Sequence, residues 1–370
     1  MRKVIQIRRG AGTALRKFQH EKIGRVAFIG GSITEMPQGY SFLTSNMIRE
    51  MFPTSAIEFI NAGISSTCSD TAAFRIGADV FSKGKIDLLF IEFAVNDNQD
   101  GHLKPVSTVR SMEGMVRQAF ANNPEIDIVF LYTANESHVE NFQAGKVPRE
   151  IRAMEKVAKY YRLASVNFAQ EVADRIAAGE FDWANDFGGV HPALFGNQIY
   201  CSMIRELLER TGEKESSELP ADLLDKNSLV NGCFLPPSAA GHDEGWTLGV
   251  PDWEALPGVK RERFTGVPNL YSSVPGAKLS LPFRGNCIGF YLTAGPDAGA
   301  IRYRIDGGKY RKVKLYHRFS ENLHYPCTKL LEEELSQGEH LLELEVCKAR
   351  NPKGSGSAVR IMNFAVNSRS

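Results

Sequence analysis

The residues best suited to chemistry are a serine and a histidine that lie far apart in the chain. Ser32 ends the stretch VAFIGGS, and His191 lies in GGVHP. A serine hydroxyl becomes a nucleophile once a base takes its proton, and histidine is the usual base because its pKa lies near neutrality. Serine after two glycines is also a common helix N-cap, and histidine before proline a common helix entry. The pair predicts acyl transfer if the fold brings both side chains together.

Two further segments supply the hydrogen-bond donors that acyl transfer requires. Gly63 lies in NAGISS and Asn96 in AVND. A tetrahedral acyl intermediate carries an oxyanion, which preorganised N–H groups stabilise. The backbone N–H groups of Ser32 and Gly63 and the side-chain amide of Asn96 are the candidates, and a glycine at position 63 allows close backbone approach. Asp97, the next residue, is predicted to hold the loop.

Strands and helices that alternate along the first half of the chain position these residues. Because the pattern predicts a mostly parallel sheet with helices on both faces, ligands are expected beyond the carboxyl ends of its strands. Each candidate segment follows an apolar run or lies in a late loop, so all four can converge there. The predicted strands are 26–29, 56–60, 86–93, 126–132 and 164–166, and the predicted helices are 40–51, 70–81, 107–121 and 148–161.

The second part of the chain has a β texture. We predict a first domain at 1–212, a polar connection at 213–235 and an all-β domain at 236–370. Asp306-Gly307-Gly308 favours a hairpin, and 329–335 a short helical turn. Short strands with almost no helix predict a β-sandwich. Its aromatic residues are candidates for stacking on sugar rings or, more often, for packing between domains: Trp246, Trp253 and Tyr271.

Composition excludes several classes of function. The net charge is +1, from 44 basic and 43 acidic residues, so no nucleic-acid or anionic-membrane partner is indicated. The basic N-terminus lacks the apolar core of a secretory signal, so a cytoplasmic protein is expected. Six cysteines without C-x-x-C pairs and histidines without ligand spacing predict no metal. The absence of G-x-G-x-x-G predicts no dinucleotide cofactor.

Together these motifs resemble those of a known family. GGSIT resembles the Gly-Asp-Ser-Leu block of the SGNH (GDSL-type) hydrolases, and NAGISS, AVND and GGVHP resemble their three other blocks, in the family's order. The resemblance implies a flavodoxin-like three-layer α/β/α fold and ester hydrolysis through an acyl-enzyme. Ser32 would be the nucleophile and an N–H donor, Gly63 and Asn96 oxyanion donors, and His191 the general base. The second part resembles, more loosely, the jelly-roll-like β-sandwich that accompanies such modules in carbohydrate-directed esterases.

Three positions depart from the family's blocks. Gly31 replaces an aspartate, Ala94 a glycine, and Gly188 the triad aspartate three residues before the histidine. Three alternatives for orienting His191 follow. Asp186 can reach it if the glycine loop folds back, a backbone carbonyl can serve in a Ser-His dyad, or Glu92 can act from behind Asn96. As a buried carboxylate, Glu92 is more often structural.

The sequence therefore predicts a serine esterase that acts on a carbohydrate or related polar substrate. A small acyl group, acetyl above all, is favoured because no long apolar lid and no lipid-facing amphipathic helix stands out. A lipase or lysophospholipase and an acyltransferase are the alternatives among enzymes. A carbohydrate-binding protein on a disabled hydrolase scaffold is the alternative outside them.

Overall fold

The chain divides into two compact units. A computed structural model describes residues 4–212, 219–348 and 356–368. The units are Met1–Val230 and Asn231–Ser370. Their boundary falls inside the predicted connection at 213–235, of which residues 213–218 lie outside the described residues.

A six-stranded sheet forms the centre of the first unit. Its order is β1-β6-β5-β4-β2-β3, and all neighbours are parallel except β1, which is antiparallel to β6. The five parallel strands have the flavodoxin-like order, in which ligands bind where the strand order reverses, here between β2 and β4. The strands are β1 (Ile5–Gln6), β2 (Ile23–Gly30), β3 (Ala56–Gly63), β4 (Leu88–Glu92), β5 (Asp127–Leu131) and β6 (Ala164–Val166).

Helices cover both faces of this sheet. Every residue of β4 and β5 is buried, as expected for strands covered on two sides. Pro105 opens one helix, and the Asn135 and Asn167 side chains cap two others. The predicted α/β fold class is confirmed. The helices are α1 (Gly12–His20), α2 (Ser32–Glu35), α3 (Tyr40–Met51), α4 (Ser69–Asp79), α5 (Pro105–Asn122), α6 (Glu136–Gln143), α7 (Arg149–Tyr160), α8 (Phe168–Ala177) and α9 (Leu194–Arg210).

The second unit consists of two antiparallel sheets. One has the order β15-β12-β17-β10-β9, with β7 also paired to β17, and the other has the order β14-β13-β16-β11-β8. Its buried core draws on both sheets, with Phe290 and Phe364 from the first and Leu281 and Leu344 from the second. The all-β prediction is therefore confirmed. The strands are β7 (Gly232–Leu235), β8 (Gly241–His242), β9 (Thr247–Gly249), β10 (Asn269–Ser272), β11 (Lys278–Arg284), β12 (Ile288–Ala294), β13 (Ala300–Ile305), β14 (Arg311–Lys314), β15 (Tyr325–Glu332), β16 (Glu339–Val346) and β17 (Val359–Asn367); one short helix, α10 (Glu262–Thr265), lies among them.

Local predictions in the second unit had mixed outcomes. The hairpin between β13 and β14 turns at Asp306 and Gly307, whose φ angles are +52° and +69°. The predicted helical turn at 329–335 is wrong, because β15 continues to Glu332 in register with β12. Sugar stacking by two of the aromatic candidates is not supported, since Trp246 and Trp253 are only 4% and 8% exposed and pack inside the unit.

Candidate active site

Ser32 and His191 meet at the carboxyl edge of the first unit's sheet. Ser32 is the first residue of α2, directly after β2, and His191 lies in the loop before α9. Nε2 of His191 lies 2.8 Å from Oγ of Ser32. The histidine is exposed and the serine half-buried, so an ester can reach both from solvent. A hydrogen bond between a nucleophile and its base is the geometric requirement for serine activation.

The loop that carries His191 requires a glycine where the family's blocks have an aspartate. Gly188 has a φ of +89°, and a Cβ on it would lie 2.6 Å from the backbone nitrogen of Ala193. The N–H of Ala193 donates to the carbonyl of Phe187, which closes the loop. An aspartate at position 188 would be strained and would collide with the backbone. The departure at this position is therefore a condition of this loop conformation.

Asp186 is exposed and hydrogen-bonded within its own loop. Its Oδ2 accepts the backbone N–H of Asp182 at 2.7 Å. Among the described residues, the His191 ring makes one hydrogen bond, the one to Ser32. The structure thus does not join the predicted orienting acid to the histidine, and Nδ1 of this exposed residue has no hydrogen-bond partner in that part of the chain.

Glu92 lies beneath the nucleophile rather than beside the histidine. Its carboxylate is fully buried and accepts hydroxyl hydrogen bonds from Thr34 at 3.0 Å and Thr133 at 2.6 Å. The backbone N–H of Gly31 also donates to it. Burial raises the pKa of this carboxyl, and the three hydrogen bonds oppose that shift. Glu92 therefore fastens the β2–α2 turn to β4, and no hydrogen bond joins it to His191.

Asn96 stands at the start of a π-helical turn, Asn96–Asp100, which follows β4. Its side chain is 2% exposed, and Nδ2 donates to Oδ2 of Asp100 at 2.6 Å. One of the two amide protons is thus used, and the other is free to point elsewhere. Within the described part of the chain Oδ1 has no hydrogen-bond partner. Single π turns inside helical segments are frequent at functional sites.

Gly63 ends β3 beside α2. Its N–H, one of the predicted oxyanion donors, donates to Oδ1 of Asn61 at 2.9 Å. A Cβ at this position would lie 2.4 Å from the backbone nitrogen of Glu35, so only glycine fits. The structure explains the glycine by close packing, and donation from Gly63 to an oxyanion stays a prediction. The N–H of Ser32 stands in the first turn of α2, where backbone donors have no partner within a helix.

The candidate site lies within a match to a known protein family. Residues 28–199, which include Ser32, Asn96 and His191, match the model of the GDSL-like lipase/acylhydrolase family. The first unit belongs to this family. We call it the GDSL module below. No curated protein sequence matches the chain closely enough to count as a relative.

Solved structures share the fold at low sequence identity. A two-domain esterase (CEX) active on acetylated mannans, co-crystallised with mannopentaose, is 19% identical with a TM-score of 0.78, over 99% of this chain and 97% of that one. A second crystal structure of a two-domain esterase (CEX) active on acetylated mannans gives the same identity and TM-score. An acetylxylan esterase, Axe2 from Geobacillus stearothermophilus, is 18% identical over 52% of this chain and 97% of that one, with a TM-score of 0.39. The two-unit fold of this chain is thus that of a known two-domain esterase.

Arg75 of α4 is a buried residue of the GDSL module that the motifs do not include. Its guanidinium donates to the carbonyls of Ala62 at 2.7 Å and Gly30 at 3.2 Å, and it pairs with Asp79 at 2.8 Å. It therefore ties together the ends of β3 and β2, directly before Gly63 and the nucleophile turn. The sequence shows only an arginine inside the predicted helix 70–81, and that Arg75 is 3% exposed is known from the structure alone.

Asp97 joins the loop of Asn96 to two helices of the GDSL module. Its carboxylate accepts the N–H and hydroxyl of Ser69, the first residue of α4, at 2.8 and 2.7 Å, and the hydroxyl of Thr108 in α5 at 3.0 Å. Burial raises its pKa from 3.8 to about 7, and the hydrogen bonds from Ser69 limit that rise. The carboxyl thus titrates near neutral pH in the folded chain.

This raised pKa has a consequence for stability. Because the folded state holds the Asp97 proton more tightly than the unfolded chain, the free energy of unfolding falls as pH rises from 3.8 to about 7 and is then constant. Asp97→Asn is expected to make that fall shallower. Urea unfolding at several pH values measures it, with Asp174→Asn in α8 as the exposed control. Equal slopes in wild type and Asp97→Asn would contradict the assignment.

Across the described ranges, no group of three or more His, Cys, Asp or Glu side chains is arranged to hold a metal ion. No helix in those ranges is both long enough and apolar enough to cross a membrane.

Proposed function

We propose that this chain is a serine esterase that removes a small acyl group, acetyl above all, from a carbohydrate or related polar substrate. The observation that carries the proposal is the 2.8 Å hydrogen bond between Ser32 Oγ and His191 Nε2, at the carboxyl edge of a GDSL module. The acetylated mannans on which the two-domain esterase acts support a carbohydrate acetyl ester as the first substrate to test.

Reaction begins with attack of Ser32 Oγ on the ester carbonyl carbon. Nε2 of His191 accepts the hydroxyl proton, and the carbonyl oxygen becomes the oxyanion. The N–H of Ser32 and the second amide proton of Asn96 stabilise it. The N–H of Gly63 can add to them only after it leaves Oδ1 of Asn61. His191 returns the proton to the leaving sugar oxygen as the C–O bond breaks, and an acyl-enzyme remains.

Water completes the cycle. His191 takes a proton from the water, and the hydroxide attacks the acyl carbon. As the second tetrahedral intermediate collapses, His191 returns this proton to Oγ of Ser32, which frees the serine and the carboxylic acid. We assign His191 to a dyad. No carboxylate is hydrogen-bonded to the exposed ring, so in this dyad water solvates the imidazolium that forms in each proton transfer.

The exposure of the site favours a substrate in which the acyl group is esterified to a large polar molecule. His191 is exposed, so an acetyl on a sugar chain can approach without entering a closed cavity. Leu194 and Phe195, which follow in the first turn of α9, are 60% and 40% exposed. This apolar surface beside the histidine is the observation that favours the second candidate, an acylhydrolase of longer esters.

A chain-length series separates these functions. We expect kcat/KM to be highest for p-nitrophenyl acetate and to fall through the butyrate and octanoate esters, and acetate to be released from acetylated manno-oligosaccharides. A maximum at octanoate would favour the longer-chain acylhydrolase. Acyl transfer to an added alcohol in excess of hydrolysis would favour an acyltransferase. If wild type and Ser32→Ala both bind glycan and neither hydrolyses the esters, a carbohydrate-binding protein is favoured.

The partners of this proposed enzyme are a glycan ester and water. The balanced charge gives no reason to add nucleic acid or an anionic membrane. The cytoplasmic location predicted from the N-terminus stays a prediction, which fractionation of cells that produce the protein tests.

A further inference from the structure

Two residues that take no part in bond making or breaking position the side-chain amide of Asn96. Asp100 accepts a hydrogen bond from Nδ2, and Gly31 leaves room for the amide beside the nucleophile. We propose that Asp100 and Gly31 are positioning residues that fix the orientation of the Asn96 amide toward the oxyanion. The inference rests on the proposed esterase function and explains how the Asn96 amide is oriented toward the oxyanion.

Asp100 sets the orientation of the oxygen and nitrogen of the Asn96 amide. The π turn brings its carboxylate to Nδ2 of Asn96 at 2.6 Å, and its own side chain is nearly as buried as the amide. Rotating the amide by half a turn would place Oδ1 against that carboxylate, two acceptors without a proton between them. Oδ1 has no partner among the described residues, so nothing on that side opposes the rotation. Asp100 thus fixes the orientation of the Asn96 amide, and the proposal assigns the second N–H of that amide to the oxyanion.

Gly31 supplies the space. A Cβ at this position would lie 2.0 Å from Oδ1, 2.6 Å from Cγ and 2.8 Å from Nδ2 of Asn96. Any side chain at residue 31 would therefore push the amide away from its hydrogen bond with Asp100 and from the neighbouring Ser32. The departure from the family's first block has a physical reason here, since glycine at 31 and the observed position of the amide go together.

Asp100→Ala tests the first half. We expect kcat for p-nitrophenyl acetate to fall by about 10-fold to 100-fold with KM little changed, because the amide then samples both orientations. Asp100→Asn keeps an acceptor within reach of Nδ2 and is expected to restore most of that loss. In an Asn96→Ala background, itself about 10²-fold to 10³-fold slower, Asp100→Ala is expected to change kcat by less than about twofold.

Gly31→Ala tests the second half by the same logic. It is expected to lower kcat in the wild-type background and to have no further effect in Asn96→Ala, where the space of the amide is vacant. This variant also keeps the proposal open to refutation if Asp100→Ala fails to fold. The control for loss of a buried acid is Glu113→Gln. Glu113 lies in α5, and its buried carboxylate accepts hydrogen bonds from Tyr161 and Ser228.

The outcomes separate the two proposals. If wild type hydrolyses the ester and Ser32→Ala does not, the esterase function holds, and the variants at 31 and 100 then decide the inference. Effects of Asp100→Ala and Gly31→Ala that persist in full on top of Asn96→Ala would overturn it, because both residues would then act without the amide. A wild type as inert as Ser32→Ala would defeat the proposed function instead.

Discussion

Ser32→Ala is expected to lower kcat for p-nitrophenyl acetate by about 10⁴-fold to 10⁶-fold, to a residual rate that depends on the oxyanion donors alone. The physical reason is that, in the part of the chain that the structure describes, Nε2 of His191 is hydrogen-bonded to the hydroxyl of Ser32 at 2.8 Å and to no other hydroxyl. Steady-state rates measure the loss. A stopped reaction examined by intact-protein mass spectrometry should also show one added acetyl group on wild type and none on the variant.

The control is a serine of the same module that lies away from the site. Ser82 is exposed, and its hydroxyl donates to the carbonyl of Ala78 at 2.5 Å at the end of α4. Ser82→Ala is expected to keep the wild-type rate. Ser32 is half-buried, its hydroxyl is hydrogen-bonded to His191, and its backbone carbonyl accepts the N–H of Met36. Alanine keeps the backbone bond, so the replacement should leave the thermal unfolding midpoint almost unchanged. A folded Ser32→Ala with wild-type kcat would eliminate Ser32 as the nucleophile.

Much of the fold was predictable because its strands are buried on both faces. The run around β4 is apolar apart from Asp87 and Glu92, and the helices between such runs have clear periods. The predicted helix at 40–51 has the bounds of α3. Strand β1 was not predicted. It has two residues and exists through pairing with β6, a long-range contact that leaves no periodic signal.

The convergence of the site was predictable for the same reason. Residues after neighbouring parallel strands reach one edge of the sheet, and Ser32 and Asn96 follow strands on either side of the reversal in strand order. What the sequence did not indicate depends on backbone angles and side-chain rotamers. The positive φ of Gly188, the turn that aims Asp100 at Asn96 and the use of the Gly63 N–H by Asn61 are all set by tertiary packing.

The burial of Arg75 is a further feature that could not be predicted from the sequence. An arginine in a helix is usually solvated, and the sequence offers no means of knowing that this one is buried against two strand ends. A buried guanidinium needs acceptors, and the carbonyls of Gly30 and Ala62 supply them together with Asp79. The spacing between the nucleophile turn and the Gly63 loop thus depends on a residue that no catalytic motif contains.

His191→Ala is expected to match the loss of Ser32→Ala, and the double variant to be no slower than either single one, because the two side chains act as one unit. Since the ring is exposed, added imidazole can enter the vacated space and is expected to restore part of the rate in His191→Ala but none in Ser32→Ala. Rates with and without imidazole measure this. Strictly multiplicative losses in the double variant would show that serine and histidine act independently.

Asp186→Asn is the matched test of what orients that histidine. In a dyad, kcat should stay near the wild-type value, because the carboxylate of Asp186 accepts the N–H of Asp182 and an asparagine can still do so. Loss of an orienting aspartate in a Ser-His-Asp triad costs about 10⁴ in kcat, so the two mechanisms differ by an amount that no assay error can hide. A fall of that size would require the loop at 186–191 to close on the histidine during the reaction. An unchanged rate would mean that water stabilises the imidazolium, as the exposed position of His191 allows.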